Sequence, residues 1–227
     1  MEQGKICVSL AGADVAALTE QARQAGDRAD VIEVRLDSME RPDVPACCAA
    51  LAKPLLFTNR PTWEGGAFSG SEEQRMEPLL EAIRQQAAYV DCELRAERSL
   101  QKQLLKAISD GPTRLILSWH DFESTPHYVD LLDLLTQMMN SEAHIGKIVT
   151  TAHSPEDVLQ LLQIQRYAVE AGFPLSCFCM GEAGRISRLA TLYLGGYMTY
   201  ACLNDARATA PGQLTLDRLR QLTALLA

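Results

Sequence analysis

Most of the features that sort a chain into a class at a glance are missing here. No run approaches the ~18 consecutive apolar residues of a membrane span. The N-terminus lacks the basic-then-apolar pattern of a secretory signal. No cluster of lysine and arginine offsets the net charge of −8, which argues against nucleic acid as a partner. A weak overall field still permits a small anionic ligand held by local arginines. The seven cysteines (Cys7, Cys47, Cys48, Cys92, Cys177, Cys179 and Cys202) are odd in number and show no Cys-x-x-Cys spacing. They read as reduced core thiols of a cytoplasmic protein, not as a disulfide frame or a zinc site. No histidines and acids stand at metal-ligand spacing, so no metal or other cofactor is expected. No G-x-G-x-x-G follows the first apolar run, which weakens a dinucleotide-binding reading.

What is present is regular alternation within 227 residues. Short apolar, β-branched runs recur at 5–10, 31–37, 54–60, 89–95, 114–121, 146–153, 174–181 and 197–203. Segments of helical periodicity separate them, among them 13–26, 72–87, 99–109, 126–141, 154–171, 184–194 and 216–226, with a shorter one at 43–52. Ser154-Pro155-Glu156-Asp157 carries an N-cap, a proline at the first helical position and early acids. Strand–helix alternation forces a parallel sheet covered by helices. Eight repeats in a chain of this length fit an α/β fold of the closed (β/α)8 TIM-barrel type, one domain over 1–227. No linker, low-complexity stretch or composition break divides it. The irregular stretches 61–70 and 204–213 both follow strands, so they would lie on the catalytic rim as candidate lids.

Side-chain alternation locates a site. In the second strand Glu33, Arg35 and Asp37 share one face while Ile32, Val34 and Leu36 share the other. Barrel strands pack their apolar face against helices, so the charges would point inward. The fourth strand repeats the pattern with Asp91, Glu93 and Arg95, and Arg60 closes the third. One such strand could be an architectural ion pair; two plus Arg60 describe a polar barrel mouth. His120 ends the fifth strand, where barrel enzymes place acid–base groups. Lys147 lies inside the apolar sixth strand, with no acid within four positions on its C-terminal side. Burial there would favour a neutral, nucleophilic amine suited to a Schiff base. Met180-Gly-Glu-Ala-Gly-Arg-Ile-Ser-Arg188 offers two glycines before a helix and a guanidinium fork for a carboxylate.

Taken in order, Glu33-Val-Arg35-Leu-Asp37, Thr58-Asn-Arg60 with Glu64-Gly-Gly, Ser118-Trp-His120-Asp-Phe, Lys147-Ile-Val, Met180-Gly-x-x-Gly-x-x-Ser-Arg188 and Ala210-Pro-Gly-Gln213 resemble the type I 3-dehydroquinate dehydratases. The resemblance implies a (β/α)8 barrel, a homodimer, and the conversion of 3-dehydroquinate to 3-dehydroshikimate and water in the shikimate pathway. It implies that Lys147 forms an imine with the C3 carbonyl, that His120 moves the proton, and that Glu64 pairs with His120. Glu33, Arg35 and Arg60 would hold ring hydroxyls, and Arg188 with Gln213 the carboxylate. Met180 would pack on the ring, and Ser9 and Thr209 would complete the substrate contacts. Two departures stand out: Thr209 occupies a position usually held by serine, and only four residues precede the first strand, so the N-terminal β-hairpin of many members is not expected. The rival readings are a Schiff-base class I aldolase acting on a sugar phosphate, which would need backbone phosphate loops after the last two strands, and a binding protein on a decayed barrel, which would have lost Lys147 or His120.

Overall fold

The computed structural model describes residues 3–109 and 111–226. Eight strands and eight helices alternate: β1 Lys5–Leu10, α1 Val15–Ala25, β2 Val31–Arg35, α2 Val44–Ala50, β3 Leu55–Thr58, α3 Glu72–Arg84, β4 Tyr89–Glu93, α4 Arg98–Ile108, β5 Arg114–His120, α5 Tyr128–Met139, β6 Ile145–Thr151, α6 Pro155–Glu170, β7 Leu175–Met180, α7 Arg185–Tyr193, β8 Met198–Ala201 and α8 Leu216–Leu225. Every paired strand is parallel, and the order runs from β7 stepwise back to β1 and then to β8. Closure between β7 and β8 is thin. Tyr197 donates its N–H to the Leu175 carbonyl at 2.8 Å, and Met198 donates to the Ser176 hydroxyl at 3.2 Å. The expected (β/α)8 barrel is therefore present, with one lightly stitched seam.

Two apolar clusters divide the core by strand face. The larger joins outward residues such as Val8, Ile32, Val34, Phe57, Val90 and Cys92 to helix residues including Leu18, Leu79, Leu104 and Leu161. The smaller fills the barrel with Cys7, Val31, Leu56, Tyr89, Ile116, Ile145 and Met198, then Val149, Phe178, Met180 and Tyr200 above. The cysteines are free; six are buried and Cys48 is half-buried. Helix α6 starts as its sequence demands: the Ser154 side chain accepts from the Asp157 N–H and Asp157 reaches back to the Ser154 N–H, a reciprocal cap, with proline in the first turn.

The strands end earlier than alternation implies, which corrects two inner-face expectations. Strand β2 stops at Arg35, and Leu36–Ser38 is a 3-10 turn. Asp37 therefore leaves the interior face, pairs with Arg35 at 2.7 Å and accepts the N–H groups of Arg60 and Ala67. Strand β4 stops at Glu93, and exposed Arg95 lies over the Trp119 ring, 5.3 Å from its centroid. In both cases the chain has already turned toward its helix, so a period of two no longer describes it.

The barrel floor is aromatic. Tyr89 and Tyr197 meet edge to face at 6.1 Å, their hydroxyls 2.8 Å apart. Arg114 donates to the Tyr197 hydroxyl at 3.0 Å and covers its ring at 5.1 Å, with Lys5 on the same ring at 5.9 Å. Tyr197 also carries one of the two seam bonds, so floor and closure share a residue. Tyr197→Ala is expected to destabilise the fold by about 3 kcal/mol, and Tyr197→Phe by about 1 kcal/mol. Thermal denaturation checks this: a fall of roughly 6–12 °C for the alanine variant is expected, and an unchanged midpoint would refute the floor's role.

Candidate active site

Above the apolar floor the inward positions become polar, and they surround an opening of ≈ 520 Å³ at the C-terminal ends of the strands. Lys147 from β6, His120 from β5, Glu33 and Arg35 from β2, and Arg60 and Glu64 after β3 all line it. Met180 from β7, Arg188 from α7, and Thr209 and Gln213 from the loop after β8 complete the expected set. Ser9 is not part of the lining. It sits on β1 beside Glu33 in register, buried, with its hydroxyl unpartnered.

Lys147 is 5% exposed. Its ammonium lies 3.9 Å from the centre of the Tyr200 ring and 3.6 Å from Asp91 Oδ2. The sequence places no acid near this lysine along its own strand, but the barrel brings one across from β4. Both the carboxylate and the ring face attract a cation, so burial alone does not define the amine's surroundings.

Arg60 organises the acids. Its guanidinium donates to Asp91 Oδ1 at 2.8 Å, and to Glu93 Oε1 and the Ser118 hydroxyl at 2.7 Å each. Ser118 in turn donates to Asp91 at 2.6 Å. Burial pushes the Asp91 carboxyl up, but Arg60 and Lys147 outweigh it and hold Asp91 below the usual range. Burial likewise works against the Arg60 cation, which four acidic neighbours, Asp91, Glu93, Glu64 and Glu33, raise above its ordinary value. Thr58 donates to Glu33 at 2.8 Å and fixes that carboxylate at the rim.

Glu64 and His120 form a dyad, with Oε1 2.9 Å from Nδ1. Burial pushes the Glu64 carboxyl up to about 8, against the pull of Arg60. Burial also drives the imidazole well below its usual value, and Arg60, Lys147, Arg35 and Arg95 add repulsion against a second proton. The imidazole is therefore neutral over the physiological range, and Nε2 is the nitrogen not engaged by Glu64. Phe122 stacks on the ring at 6.0 Å. The turn carrying Glu64 leaves no room for side chains behind it. A Cβ on Gly65, whose φ is 76°, would lie 2.2 Å from the Phe122 ring, and one on Gly66 would lie 2.0 Å from the Arg60 carbonyl.

Across the opening stands a cation that pairs with no acid among the described residues. Arg188 is 1% exposed, donates to the Pro211 carbonyl at 3.2 Å and covers the Phe178 ring at 4.8 Å, while its Nε has no partner. Burial pushes it down to about 10, which still leaves a cation at neutral pH. Gln213 Oε1 accepts from the Thr209 N–H at 2.8 Å and from its hydroxyl at 3.2 Å, which ties this loop together. The Thr209 hydroxyl therefore bonds Gln213 within the loop. Among the described residues no group of three or more His, Cys, Asp or Glu side chains forms a metal site. No helix among them is long and apolar enough to cross a membrane.

Four residues here carry little signal in the sequence. Tyr200, Phe122 and Phe178 line the opening, and Tyr200 was readable only as one step of alternation on β8. Arg75, fully buried on α3, pairs with Glu93 from outside the strand pattern.

Fold and lining define a class: (β/α)8-barrel enzymes whose chemistry lies at the C-terminal ends of the strands. The chain belongs to the type I 3-dehydroquinase family, whose sequence model matches residues 6–227. It is 48% identical over 227 residues to the 3-dehydroquinate dehydratase of Desulfotalea psychrophila, covering 99% of each chain. It is 32% identical to that of Methanococcus maripaludis, covering 97% of this chain and 99% of the relative. Among solved structures, the type I enzyme of Clostridium difficile superposes with a TM-score of 0.90 at 25% identity, covering 100% of this chain and 93% of the other. That of Geobacillus kaustophilus gives 0.90 at 29%, covering 99% and 91%. The reaction is the dehydration of 3-dehydroquinate in the shikimate pathway. The sugar-phosphate aldolase and decayed-barrel alternatives fall with this assignment.

Glu64 yields a pH prediction with a definite sign. An unfolded Glu64 ionises near 4.5 and the folded one near 8. Its contribution to stability is full below the lower value and lost as pH rises through the upper. Glu64→Gln should therefore gain stability over the parent by roughly 1.4 kcal/mol per pH unit between pH 5 and 8, and no further above. Melting temperatures of both proteins across pH 5–9 check it; a constant difference would contradict the raised carboxyl.

Proposed function

We propose that Lys147 is the amine that joins the substrate and that His120 moves the protons. The supporting observation is that both line one opening whose far side holds Arg188, a buried cation without an acidic partner. A substrate carboxylate fills that electrostatic vacancy, because a charge-assisted fork to a buried guanidinium is among the stronger hydrogen bonds available. The structure of the Clostridium difficile relative carries covalently modified comenic acid; in this chain we assign the nucleophile to Lys147.

The chemistry follows from the residues. The Lys147 ammonium gives up one proton and its amine adds to the C3 ketone; that proton, with one from the nitrogen, leaves with the ketone oxygen as water, giving a protonated imine that draws electrons from C2. When Glu64 is ionised and accepts the Nδ1–H, neutral His120 takes the C2 proton on Nε2. The C1–O bond then breaks, and the imidazolium returns its proton to the departing hydroxyl, so water leaves and the imidazole is restored. Hydrolysis of the imine releases 3-dehydroshikimate and the free amine. The sum is loss of one water, with no redox change. Glu64 holds Nδ1 so that Nε2 faces the ring. Glu33, Arg35 and Arg60 carry the ring hydroxyls, Arg188 with Gln213 and Thr209 the carboxylate, and Met180 the ring face. Ser9 stands one shell behind Glu33. No metal or organic cofactor takes part. The chain works as one barrel domain in a cytoplasmic homodimer.

Borohydride added with 3-dehydroquinate should leave a reduced ligand mass on the peptide containing Lys147; turnover without any trapped adduct would refute the imine. His120→Ala should still be trapped but lose kcat by roughly 10²–10⁴-fold. Full activity in that variant would remove His120 from its role.

A further inference from the structure

The acid network does not end inside the barrel. Glu93, 0% exposed, is shared between two guanidinium groups: Oε1 accepts from Arg60 at 2.7 Å, and Oε2 accepts from Arg75. Arg75 projects from α3, outside the strand pattern, and is itself 0% exposed. Its polar and charged neighbours come from α3, β4 and the segment after β3, Cys92 of β4 among them. Glu72, one turn earlier on α3, takes its Nε and Nη2 at 2.9 and 2.7 Å. The Asn59 carbonyl accepts from Nη1 at 3.3 Å, and the Asn59 amide donates to the Arg75 carbonyl at 3.0 Å. The guanidinium also lies 5.8 Å from the centre of the Trp63 ring. Trp63 immediately precedes Glu64 on a single 3-10 turn, Thr62–Glu64.

Arg75 therefore grips the Glu64 turn by its neighbour and the Arg60 partner by its carboxylate. The consequence concerns a choice open to Arg60. Its Nη1 lies 2.7 Å from Glu93 and 3.6 Å from Glu64 Oε1, beyond hydrogen-bond reach of the latter. While Glu93 is an anion, Arg60 stays with it, and Glu64 is left to His120. We propose that Arg75 is a positioning residue for the dehydration: by holding Glu93 as the partner of Arg60, it keeps Glu64 free to pair with His120. This rests on the reading of Glu64 and His120 as the proton-handling pair.

Burial pushes the Glu93 carboxyl up, and Arg60 and Arg75 are the groups that pull it back. Without Arg75, Glu93 takes up a proton, Arg60 swings to Glu64 and stabilises its carboxylate. The groups acting on Glu64 are then Arg60 and His120 in contact, with Glu93, Asp91 and Arg95 around them.

The experiment compares Arg75→Met, Arg75→Lys and Glu93→Gln by the pH profile of kcat, by KM, and by NMR titration of the Glu64 carboxyl and His120 ring. Arg75→Met is expected to lower kcat at least tenfold with KM changed less than threefold, and to move the Glu64 titration acid by at least about one pH unit. Glu93→Gln should move it in the same direction, and Arg75→Lys should restore kcat to within threefold of the parent. A folded Arg75→Met variant whose Glu64 titration stays put or moves alkaline overturns the proposal. If Arg75→Met does not fold, an unmoved titration in Glu93→Gln overturns it equally. Full activity of His120→Ala would sink the underlying reading instead, and that outcome is independent of any titration in the Arg75 variants.

Discussion

A parallel barrel has no water-filled lumen to dissolve its charges, so any charge it buries must be answered from within. In this chain the answer centres on Arg60, whose guanidinium bonds Asp91, Glu93 and Ser118 and stands near Glu64. Removing one member of such a cluster leaves a desolvated charge behind, a loss of several kcal/mol. The cluster also sets the electrostatics of the chemistry. Asp91 is shared between Arg60 and Lys147, while the surrounding cations keep His120 from taking a second proton. Rigid placement of reacting groups and their proton affinities thus come from one set of bonds.

The arrangement divides the opening into two halves of different character. On one side, acids and bases balance internally and present a neutral imidazole and an amine. On the other, Arg188 is buried against Phe178 and a carbonyl and is left without a counter-ion. An anionic ligand completes the second half without disturbing the first. On the proposed mechanism that asymmetry orients a ring bearing one carboxylate and one ketone, because each end has one complementary place to go.

Much of this was legible in the sequence, and the limits have physical causes. Strand–helix alternation revealed the barrel because each strand must bury one face under helices. Inward acids at Glu33, Asp91 and Glu93 followed from period-two alternation on β2 and β4. The same rule failed at Asp37 and Arg95, where the chain had turned out of the strand and alternation lost its meaning. Lys147 was visible as a lysine in an apolar run, but its partner Asp91 lies two strands away, and no local pattern encodes that distance. Arg75 was invisible for the same reason, since a helix residue reaching past the Trp63 turn to a strand-borne acid leaves no periodic trace. The order of short motifs recovered the family where periodicity alone had reached only a barrel with a polar mouth.

In the proposed mechanism a carboxylate on Arg188 places the ketone at Lys147 and its neighbouring carbon at His120. The most direct measurement is diffraction from crystals of the borohydride-reduced adduct. The account predicts a C–N bond to Lys147 Nζ, the ligand carboxylate within hydrogen-bond distance of the Arg188 guanidinium, and His120 Nε2 facing C2. A ligand bonded to Lys147 with its carboxylate resting on Arg35 or Arg60, and Arg188 untouched, would contradict it.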